Sequence, residues 1–250
     1  MEKSNQNKRQ FGLIGKNIDY SFSRTYFAQK FNTENLNNCH YKNFDLLTID
    51  EVKPLLKSKN IAGLNVTIPY KKEIIPYLDK LSEEAKEIGA VNTICFRKDG
   101  TLHGANTDCY GFEKALRERV KRLPKKALII GTGGASAAIA YVLDKNNIET
   151  QFVSRKPRDG QLSYLDLQQI DLQLYPLIIN TSPVGTYPNI SEAPKIPYHQ
   201  IKRDHILFDL IYNPEKTQFL KNGLEKGATI INGYTMLIYQ AEKAWELWNS

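Results

Sequence analysis

Long apolar segments are absent from this 250-residue sequence. None of its hydrophobic runs approaches the roughly 20 residues that a membrane-spanning helix requires, so we expect no membrane association. The first ten residues are polar and lack the apolar core of a secretory signal, and we expect them to form a short polar tail. These absences favour a cytoplasmic protein.

Cysteine is also scarce. The three cysteines, Cys39, Cys95 and Cys109, match neither a disulfide framework nor the paired spacing of a metal site. We therefore expect reduced thiols and no bound metal. The net charge is +7, but the basic residues are spread along the chain rather than clustered with aromatic residues. This distribution argues against a nucleic acid partner and favours small anionic ligands.

Strand-length apolar segments alternate with helical patterns along the whole chain. Such alternation is typical of α/β folds, which bind ligands at the carboxyl ends of their parallel strands. The length of the chain suits two domains. Helical patterns predict, among other elements, short helices over residues 71–78 and 164–170.

The segment Lys125–Leu143 combines an apolar strand, a glycine-rich turn and an alanine-rich helix. Gly131, Gly133 and Gly134 would let the backbone turn tightly and approach a pyrophosphate, which the N–H groups at the start of the helix would bind. Ser136 stands at the third motif position and is small enough for close packing. We interpret this segment as a dinucleotide-binding turn. A glycine-rich turn without a ligand is the alternative.

The end of the following strand indicates which dinucleotide would bind. NAD-binding domains usually carry an acidic residue here, which binds the ribose hydroxyls. In this chain the strand ends in Ser154, Arg155 and Lys156, with Arg158 close behind. A guanidinium group binds a 2′-phosphate that a carboxylate would repel, so the sequence favours NADP over NAD. A solvated basic loop is the alternative.

The segment Gly63–Lys71 is the first of two polar segments in the N-terminal half. Pro69 stops a strand there, which places Thr67 and Lys71 at the carboxyl end of the strand, where a ligand site is expected.

The second polar region comprises Gly89–Thr93 and His103–Asp108. It places Asn92 and Asp108 at further strand ends. A lysine such as Lys71 can form an ion pair with an aspartate that tunes its proton transfer. Asp108 could equally cap the helix that follows it.

In their order along the chain, these motifs resemble the shikimate dehydrogenase family over residues 11–248. The family's Asn-Val-Thr-x-Pro-x-Lys motif matches Asn65–Lys71 and implies that Lys71 is the catalytic lysine. Its Asn-Thr-Asp motif matches Asn106–Asp108 and implies that Asp108 is the partner of that lysine.

The resemblance also implies the residues that bind the ligands. The implied substrate contacts are Ser21, Ser23, Thr67, Asn92, Tyr212 and Gln240. The implied cofactor is NADP, and its implied contacts are Gly131, Gly133, Gly134, Ala135, Ser136, Ser154, Arg155, Lys156, Thr181, Gly233 and Met236. The serine pair would hold the substrate carboxylate.

For the fold, the resemblance implies an N-terminal α/β substrate domain and a Rossmann-type dinucleotide-binding domain. We predict the first from residues 1–107 and 234–250, with the C-terminal helix returning to it, and the second from residues 108–233. The implied activity is the reversible, NADPH-dependent reduction of 3-dehydroshikimate to shikimate, a step toward chorismate and the aromatic amino acids. We expect a monomer or homodimer.

Tyr20 and Arg24 depart from the family's His-Ser-x-Ser-Pro sequence around the serine pair. Quinate carries an additional hydroxyl beside the carboxylate, so a quinate/shikimate dehydrogenase with relaxed cofactor use is one alternative. A sensor that binds NADP or a shikimate-like ligand without catalysis is another, although it would not need Lys71 and Asp108.

Overall fold

The structure, a computed structural model, describes residues 8–19 and 21–250. The chain forms two compact units. The N-terminal unit extends to Thr107 and includes Ala241–Ser250, and the central unit comprises Asp108–Gln240. Both are built from strands and helices around a sheet, so the predicted α/β class is confirmed. The second boundary falls after Gln240, inside the C-terminal helix, whereas we expected it before that helix.

The N-terminal unit is organised around a mixed sheet. Its helices and strands are β1 (Arg9–Gly15), α1 (Phe22–Thr33), β2 (Cys39–Asp45), α2 (Lys53–Leu56), β3 (Ile61–Val66), β4 (Lys80–Leu81), α3 (Glu83–Ile88), β5 (Thr93–Phe96) and β6 (Leu102–Ala105). The strand order is β2-β1-β3-β5-β6-β4. β1 pairs in parallel with both β2 and β3, whereas β5 is antiparallel to β3 and β6.

The central unit contains a parallel sheet. Its elements are α4 (Asp108–Arg119), β7 (Lys126–Ile130), α5 (Gly134–Lys145), β8 (Glu149–Val153), β9 (Leu177–Asn180), β10 (Ile206–Asp209), α6 (Gln218–Glu225) and β11 (Thr229–Ile231). The strand order is β11-β10-β9-β7-β8, and every pairing is parallel. β7, β9 and β10 are nearly continuous apolar runs, as is typical of parallel strands that are buried on both faces.

The predicted helix over residues 71–78 is wrong. Only Ile75–Tyr77 forms a single 3₁₀ turn. The carbonyl of Lys71 accepts a 2.7 Å hydrogen bond from the N–H of Val91, so the tertiary contact replaces a helical bond. Pro76 further weakens the helix because it lacks an N–H.

The predicted helix over residues 164–170 is also reduced, to a 3₁₀ turn at Asp166–Gln168. Ser163 and Asp166 bond to each other's backbone N–H groups and cap the turn at its start. Asp171 then begins a second short turn by accepting from the N–H of Gln173, so the chain changes direction before a full helix can form.

The last helix, α7 (Tyr234–Trp248), ends in the core of the N-terminal unit. The Trp248 ring lies 5.0 Å from the Phe11 ring and 5.4 Å from the Phe27 ring, centroid to centroid. Its indole N–H donates to the carbonyl of Ile94 at 3.0 Å. The predicted return of the C-terminal helix to the first domain is therefore observed for the segment from Ala241. No helix in residues 8–19 and 21–250 is both long and apolar enough to cross a bilayer.

We predict that Trp248→Ala lowers the free energy of unfolding by about 3–5 kcal/mol, because it removes a buried aromatic ring and leaves a cavity. Chemical denaturation would measure the loss. Trp248→Phe keeps much of the packing and should cost clearly less. A loss below about 1 kcal/mol for the alanine variant would contradict the central role of this ring in the core.

Candidate active site

In each sheet, one parallel strand has its sequence successors on opposite sides: β1 lies between β2 and β3, and β7 lies between β8 and β9. Loops leave the two flanking parallel strands in opposite directions at such a point, so a crevice opens at the carboxyl ends. In the N-terminal unit, the loops after β1 and β3 carry Ser21, Thr67 and Lys71. In the central unit, the loops after β7 and β9 carry Gly131 and Thr181. Residues predicted from separate motifs thus belong to the two crevices.

Ser21 immediately precedes α1. Its N–H donates to the carbonyl of Ile18 at 3.1 Å. Its hydroxyl oxygen is buried and makes no hydrogen bond to any described residue. A buried hydroxyl without a partner is costly, so this group is suited to receive a polar ligand atom.

Thr67 and Lys71 occupy the turn after β3. The N–H of Thr67 donates to the carbonyl of Ile14 at 2.8 Å, which ties the turn to β1. The carbonyl of Lys71 is bound by the N–H of Val91, next to the predicted substrate residue Asn92. Lys71 is half-buried, whereas its neighbour Lys72 is exposed.

Asn92 is the centre of a buried hydrogen-bond network. Its Oδ1 accepts from the N–H of Thr107 at 2.7 Å and from the hydroxyl of Thr93 at 3.0 Å. Its Nδ2 donates to the Thr107 hydroxyl at 3.0 Å. The orientation of the amide is thereby determined, and the chain leading into Asp108 is held at this strand end.

Asp108 is buried and is the first residue of α4, so it belongs to the first turn of the helix rather than capping it from outside. A carboxylate in that position interacts favourably with the helix dipole. Lys71 and Asp108 belong to different compact units, and their pairing stays a prediction.

The glycine-rich turn lies between β7 and α5, as predicted. Gly131 has φ +109°, and a Cβ there would lie 2.8 Å from the Thr181 hydroxyl. The Thr181 N–H and hydroxyl both bond to the carbonyl of Ile130, so the two loops are joined. A Cβ added to Gly133 would have no neighbouring atom within 4 Å. The turn therefore leaves space beside Gly133 and the start of the helix, which has no side-chain cap.

The other residues predicted to bind the cofactor belong to the start of α5 and to the loop after β8. Ser136 is buried and its hydroxyl donates to the carbonyl of Gly133 at 2.5 Å, whereas Ala135 is half-buried. After β8, Arg155 and Lys156 are exposed, and the Lys156 N–H donates to the hydroxyl of Ser154. The loop thus presents the cations of Arg155 and Lys156 directly after β8, and the exposed Arg158 and Asp159 follow them.

Asp209, at the end of β10, is not among the site residues predicted from the sequence. It accepts hydrogen bonds from the Thr217 hydroxyl at 2.6 Å, the Ile211 N–H at 3.0 Å and Asn180 Nδ2 at 3.1 Å. Asn180 in turn binds the N–H and the hydroxyl of Ser182 through its Oδ1. This network holds the loop that carries Thr181.

Burial raises the pKa of Asp209 from 3.8 to about 7, although its three hydrogen bonds oppose the shift. The motif Asp-Leu-Ile-Tyr at a strand end was the signal that could have identified it. The shift itself follows from desolvation, which depends on packing.

Two glycines of the central unit allow close backbone contacts near the predicted nicotinamide residues. A Cβ on Gly233 would collide with the carbonyl of Leu210. A Cβ on Gly111, in α4, would lie 2.6 Å from the carbonyl of Met236 and 3.1 Å from the Cβ of Gln240. Gly111 is not among the predicted site residues, and no local signal distinguishes it, because the partner helix is distant in sequence.

Tyr212 belongs to the segment that follows β10. It lines a cavity of about 740 Å³ together with Arg119, Lys216 and Asn232, and none of the predicted phosphate-binding residues lines that cavity. Asn232 donates to the carbonyl of Tyr212 at 3.3 Å. Among the described residues, no group of three or more His, Cys, Asp or Glu side chains is arranged to hold a metal ion.

The site can be compared with known proteins. The family model described as the shikimate dehydrogenase substrate binding domain matches residues 13–94. A shikimate dehydrogenase (NADP(+)) of Methanococcus maripaludis is 38% identical over 254 residues, which cover 95% of this chain and 90% of that protein. The chain belongs to the shikimate dehydrogenase family. The resemblance inferred from the sequence is thereby confirmed.

Two solved structures of this family are similar over nearly the whole chain. The shikimate 5-dehydrogenase of Listeria monocytogenes, in complex with shikimate and NAD, is 29% identical with a TM-score of 0.88 and covers 100% of this chain and 94% of its own. The quinate dehydrogenase of Corynebacterium glutamicum, in complex with NAD, is 25% identical with a TM-score of 0.86, covering 96% and 93%.

Of the two residues that depart from the family's serine motif, the structure describes Arg24. Arg24 is exposed in the first turn of α1 and donates to the carbonyl of Asp19 at 3.0 Å, so it braces the loop before the helix. Tyr20 lies outside the described residues.

We predict that Asp209 makes stability depend on pH. Because the folded pKa is raised, the folded protein retains a proton between about pH 4 and pH 7 that the unfolded chain has lost, so this contribution is lost as the pH rises through that interval. Each pKa unit corresponds to about 1.4 kcal/mol, so a rise in the pKa from 3.8 to about 7 corresponds to about 4 kcal/mol over the whole interval, of which about 3 kcal/mol falls between pH 5 and pH 8.

Urea denaturation of the wild type and Asp209→Asn at pH 5 and pH 8 would measure this effect. The wild type should lose more stability than the variant between the two pH values, since the amide does not titrate. An identical pH dependence of the two proteins would show that the carboxyl is ionised throughout.

Proposed function

We propose that this chain catalyses the reversible, NADP-linked interconversion of shikimate and 3-dehydroshikimate. The observation that carries the proposal is its 38% identity, over 95% of the chain, to a protein named shikimate dehydrogenase (NADP(+)). The arrangement of polar residues at the carboxyl ends of β1, β3, β7 and β9 supports it. The substrate is a small molecule with one carboxylate and several hydroxyls.

The residues at the end of β7 fit a dinucleotide. The open space at Gly133 and the uncapped start of α5 suit a pyrophosphate, which the N–H groups of the helix would bind. Arg155 and Lys156 suit a 2′-phosphate. Ser154 and Thr181 directly follow β8 and β9, the two strands that pair with β7. When bound, NADP accepts or supplies the hydride. Gly233 and Met236 would contact its nicotinamide.

The substrate would be held by its carboxylate and its hydroxyls. The unpaired hydroxyl of Ser21 supports a role in binding the carboxylate, together with Ser23. The fixed amide of Asn92 can both donate to and accept from ring hydroxyls. Thr67 belongs to the same crevice. Tyr212 and Gln240 would complete the substrate contacts, as the resemblance implies.

Lys71 would transfer the proton. In the reduction, its ammonium group gives a proton to the oxygen that forms from the C3 carbonyl, and in the oxidation its neutral amine accepts the proton from the C3 hydroxyl. Asp108 would stabilise the charged form of the lysine. The tie between Lys71 and Val91 supports this role because it anchors the lysine beside Asn92.

The cellular location and assembly are part of the proposal. Cys39, Cys95 and Cys109 are all buried and form no disulfide with any described residue, which favours a reducing compartment such as the cytoplasm. A monomer or homodimer remains the expected state.

We predict that Lys71→Ala lowers kcat by about 10²–10⁴-fold while the KM for shikimate changes far less, because the loss of a proton donor affects the transition state more than binding. Steady-state kinetics would measure this. Lys72→Ala is the matched control, since Lys72 is exposed and adjacent, and it should retain normal turnover. A kcat within a few-fold of the wild type for Lys71→Ala would remove this lysine from the mechanism.

The similarity to a quinate dehydrogenase supports a second candidate activity, the oxidation of quinate as well as shikimate. Absorbance of the reduced cofactor, followed with shikimate or quinate and with NADP or NAD, distinguishes the two. We predict the highest kcat/KM for shikimate with NADP. An equal or higher value for quinate would favour the quinate/shikimate enzyme. Ligand-induced thermal stabilisation without turnover would identify a sensor and reject the proposed enzyme.

A further inference from the structure

Asp209, at the carboxyl end of β10, lies directly beside Asn180, at the carboxyl end of the neighbouring strand β9. It is fully buried and is not one of the proposed substrate or cofactor contacts. Its two carboxylate oxygens have different partners. Oδ1 accepts from Asn180 Nδ2 at 3.1 Å and from the N–H of Ile211 at 3.0 Å, whereas Oδ2 accepts from the Thr217 hydroxyl. A single oxygen atom therefore joins the segments that follow β9 and β10.

Asn180 transmits this contact to the loop that carries Thr181. Its Oδ1 accepts from the N–H of Ser182 at 3.1 Å, and its Nδ2 donates to the carbonyl of Val184 at 3.3 Å. A backbone N–H can only donate and a carbonyl can only accept, so the orientation of the amide is fixed. The second hydrogen of Nδ2 is the one that Asp209 accepts. Removal of the carboxylate would leave this buried hydrogen without its acceptor, which is costly.

Ile211 transmits the contact to Gly233, a proposed nicotinamide residue. The N–H of Ile211 is bound by Asp209, and its carbonyl accepts from the N–H of Gly233 at 3.2 Å. Gly233 also lies against the end of β10, since a Cβ added to it would collide with the carbonyl of Leu210. The position of Gly233 therefore depends on the course of the chain immediately after Asp209.

We propose that Asp209 is a positioning residue for the nicotinamide half of NADP, because it holds the loop of Thr181 and the segment that leads to Gly233 in one arrangement. The proposal rests on the proposed function, since it takes these two residues as cofactor contacts. Asp209 acts through the two segments rather than by contact with the cofactor. The 2′-phosphate of the adenosine half is proposed to bind after β8, at Arg155, and none of the hydrogen bonds described above leads there.

This role does not require an ionised carboxylate. Both N–H groups bind Oδ1, so a proton on Asp209 would lie on Oδ2, which faces the Thr217 hydroxyl. A hydroxyl can accept as well as donate, and the contacts to Asn180 and Ile211 would persist. For the same reason Asp209→Asn, with its carbonyl oxygen in the place of Oδ1, should preserve both contacts.

The test compares the equilibrium binding of two probes to the wild type and to Asp209→Ala. One probe is NADP, and the other is adenosine 2′,5′-bisphosphate, which has the adenosine half with its 2′-phosphate but lacks the nicotinamide. Isothermal titration calorimetry would measure both Kd values. The Kd for NADP should rise about tenfold, which is the effect of one hydrogen bond of ordinary strength. The Kd for the bisphosphate should stay within about twofold, and Asp209→Asn should retain most of the affinity for NADP.

His205→Ala is the matched control for a loss of stability alone. His205 is buried directly before the amino end of β10. Its Nδ1 accepts from the N–H of Lys202 at 3.1 Å, and its Nε2 lies 3.1 Å from the carbonyl of Leu172. The variant therefore removes buried hydrogen bonds at the opposite end of the same strand. It should lower the free energy of unfolding and leave both Kd values unchanged.

Equal rises in both Kd values for Asp209→Ala, or a Kd for NADP within twofold of the wild type, would overturn the positioning role. The same selective rise in His205→Ala would attribute the effect to stability and would overturn it as well. If Asp209→Ala does not fold, Asn180→Ala decides the question. It removes the amide between Asp209 and the loop of Thr181 and should raise the Kd for NADP selectively, and an unchanged Kd would refute the connection.

The wild type separates this proposal from the proposed function. A wild type that binds NADP but does not oxidise shikimate would contradict the proposed activity, and the binding comparison would still test Asp209. An active wild type with unchanged Kd values in the variants would contradict only the role of Asp209.

Discussion

Parallel pairing on both sides of one strand is the constraint on which the two crevices depend. β1 pairs in parallel with β2 and β3, and β7 pairs in parallel with β8 and β9. All three carboxyl ends of each group then lie at one edge of the sheet. The loops after β1 and β3, and likewise those after β7 and β9, leave that edge in opposite directions. Segments as distant as Ser21 and Lys71, or Gly131 and Thr181, are thereby brought to the same edge of their sheet.

Buried polar groups stabilise the loops at these edges. Each unit uses a small network of amides, hydroxyls and backbone groups, centred on Asn92 in the N-terminal unit and on Asp209 in the central unit. An unsatisfied group in such a place costs roughly 1–3 kcal/mol, so each network strongly favours a single arrangement of its loop. The same cost explains why the unpaired hydroxyl of Ser21 is a better indication of a ligand than an exposed serine would be.

Helix ends and tight turns follow from residues that are close together in the chain. Ser82 caps α3 and Gly89, with φ +65°, ends it, and the turn from β7 into α5 is where the glycines of that motif predict it. These features depend on residues only a few positions apart, so the sequence is enough to predict them. The predicted helix over residues 71–78 failed because the Lys71 carbonyl bonds to Val91, a residue 20 positions away.

The sequence by itself determined the α/β class, the phosphate-binding turn, the basic residues after β8 and the identity of Lys71 and Asn92 as candidates, because turn chemistry and motif spacing are local. Only the tertiary structure decided that the Trp248 ring packs against Phe11 and Phe27, that Gly111 lies against the helix of Gln240, and that the pKa of Asp209 is raised. Those features arise from packing between segments far apart in the chain and from the exclusion of water, and neither quantity is encoded at any single position.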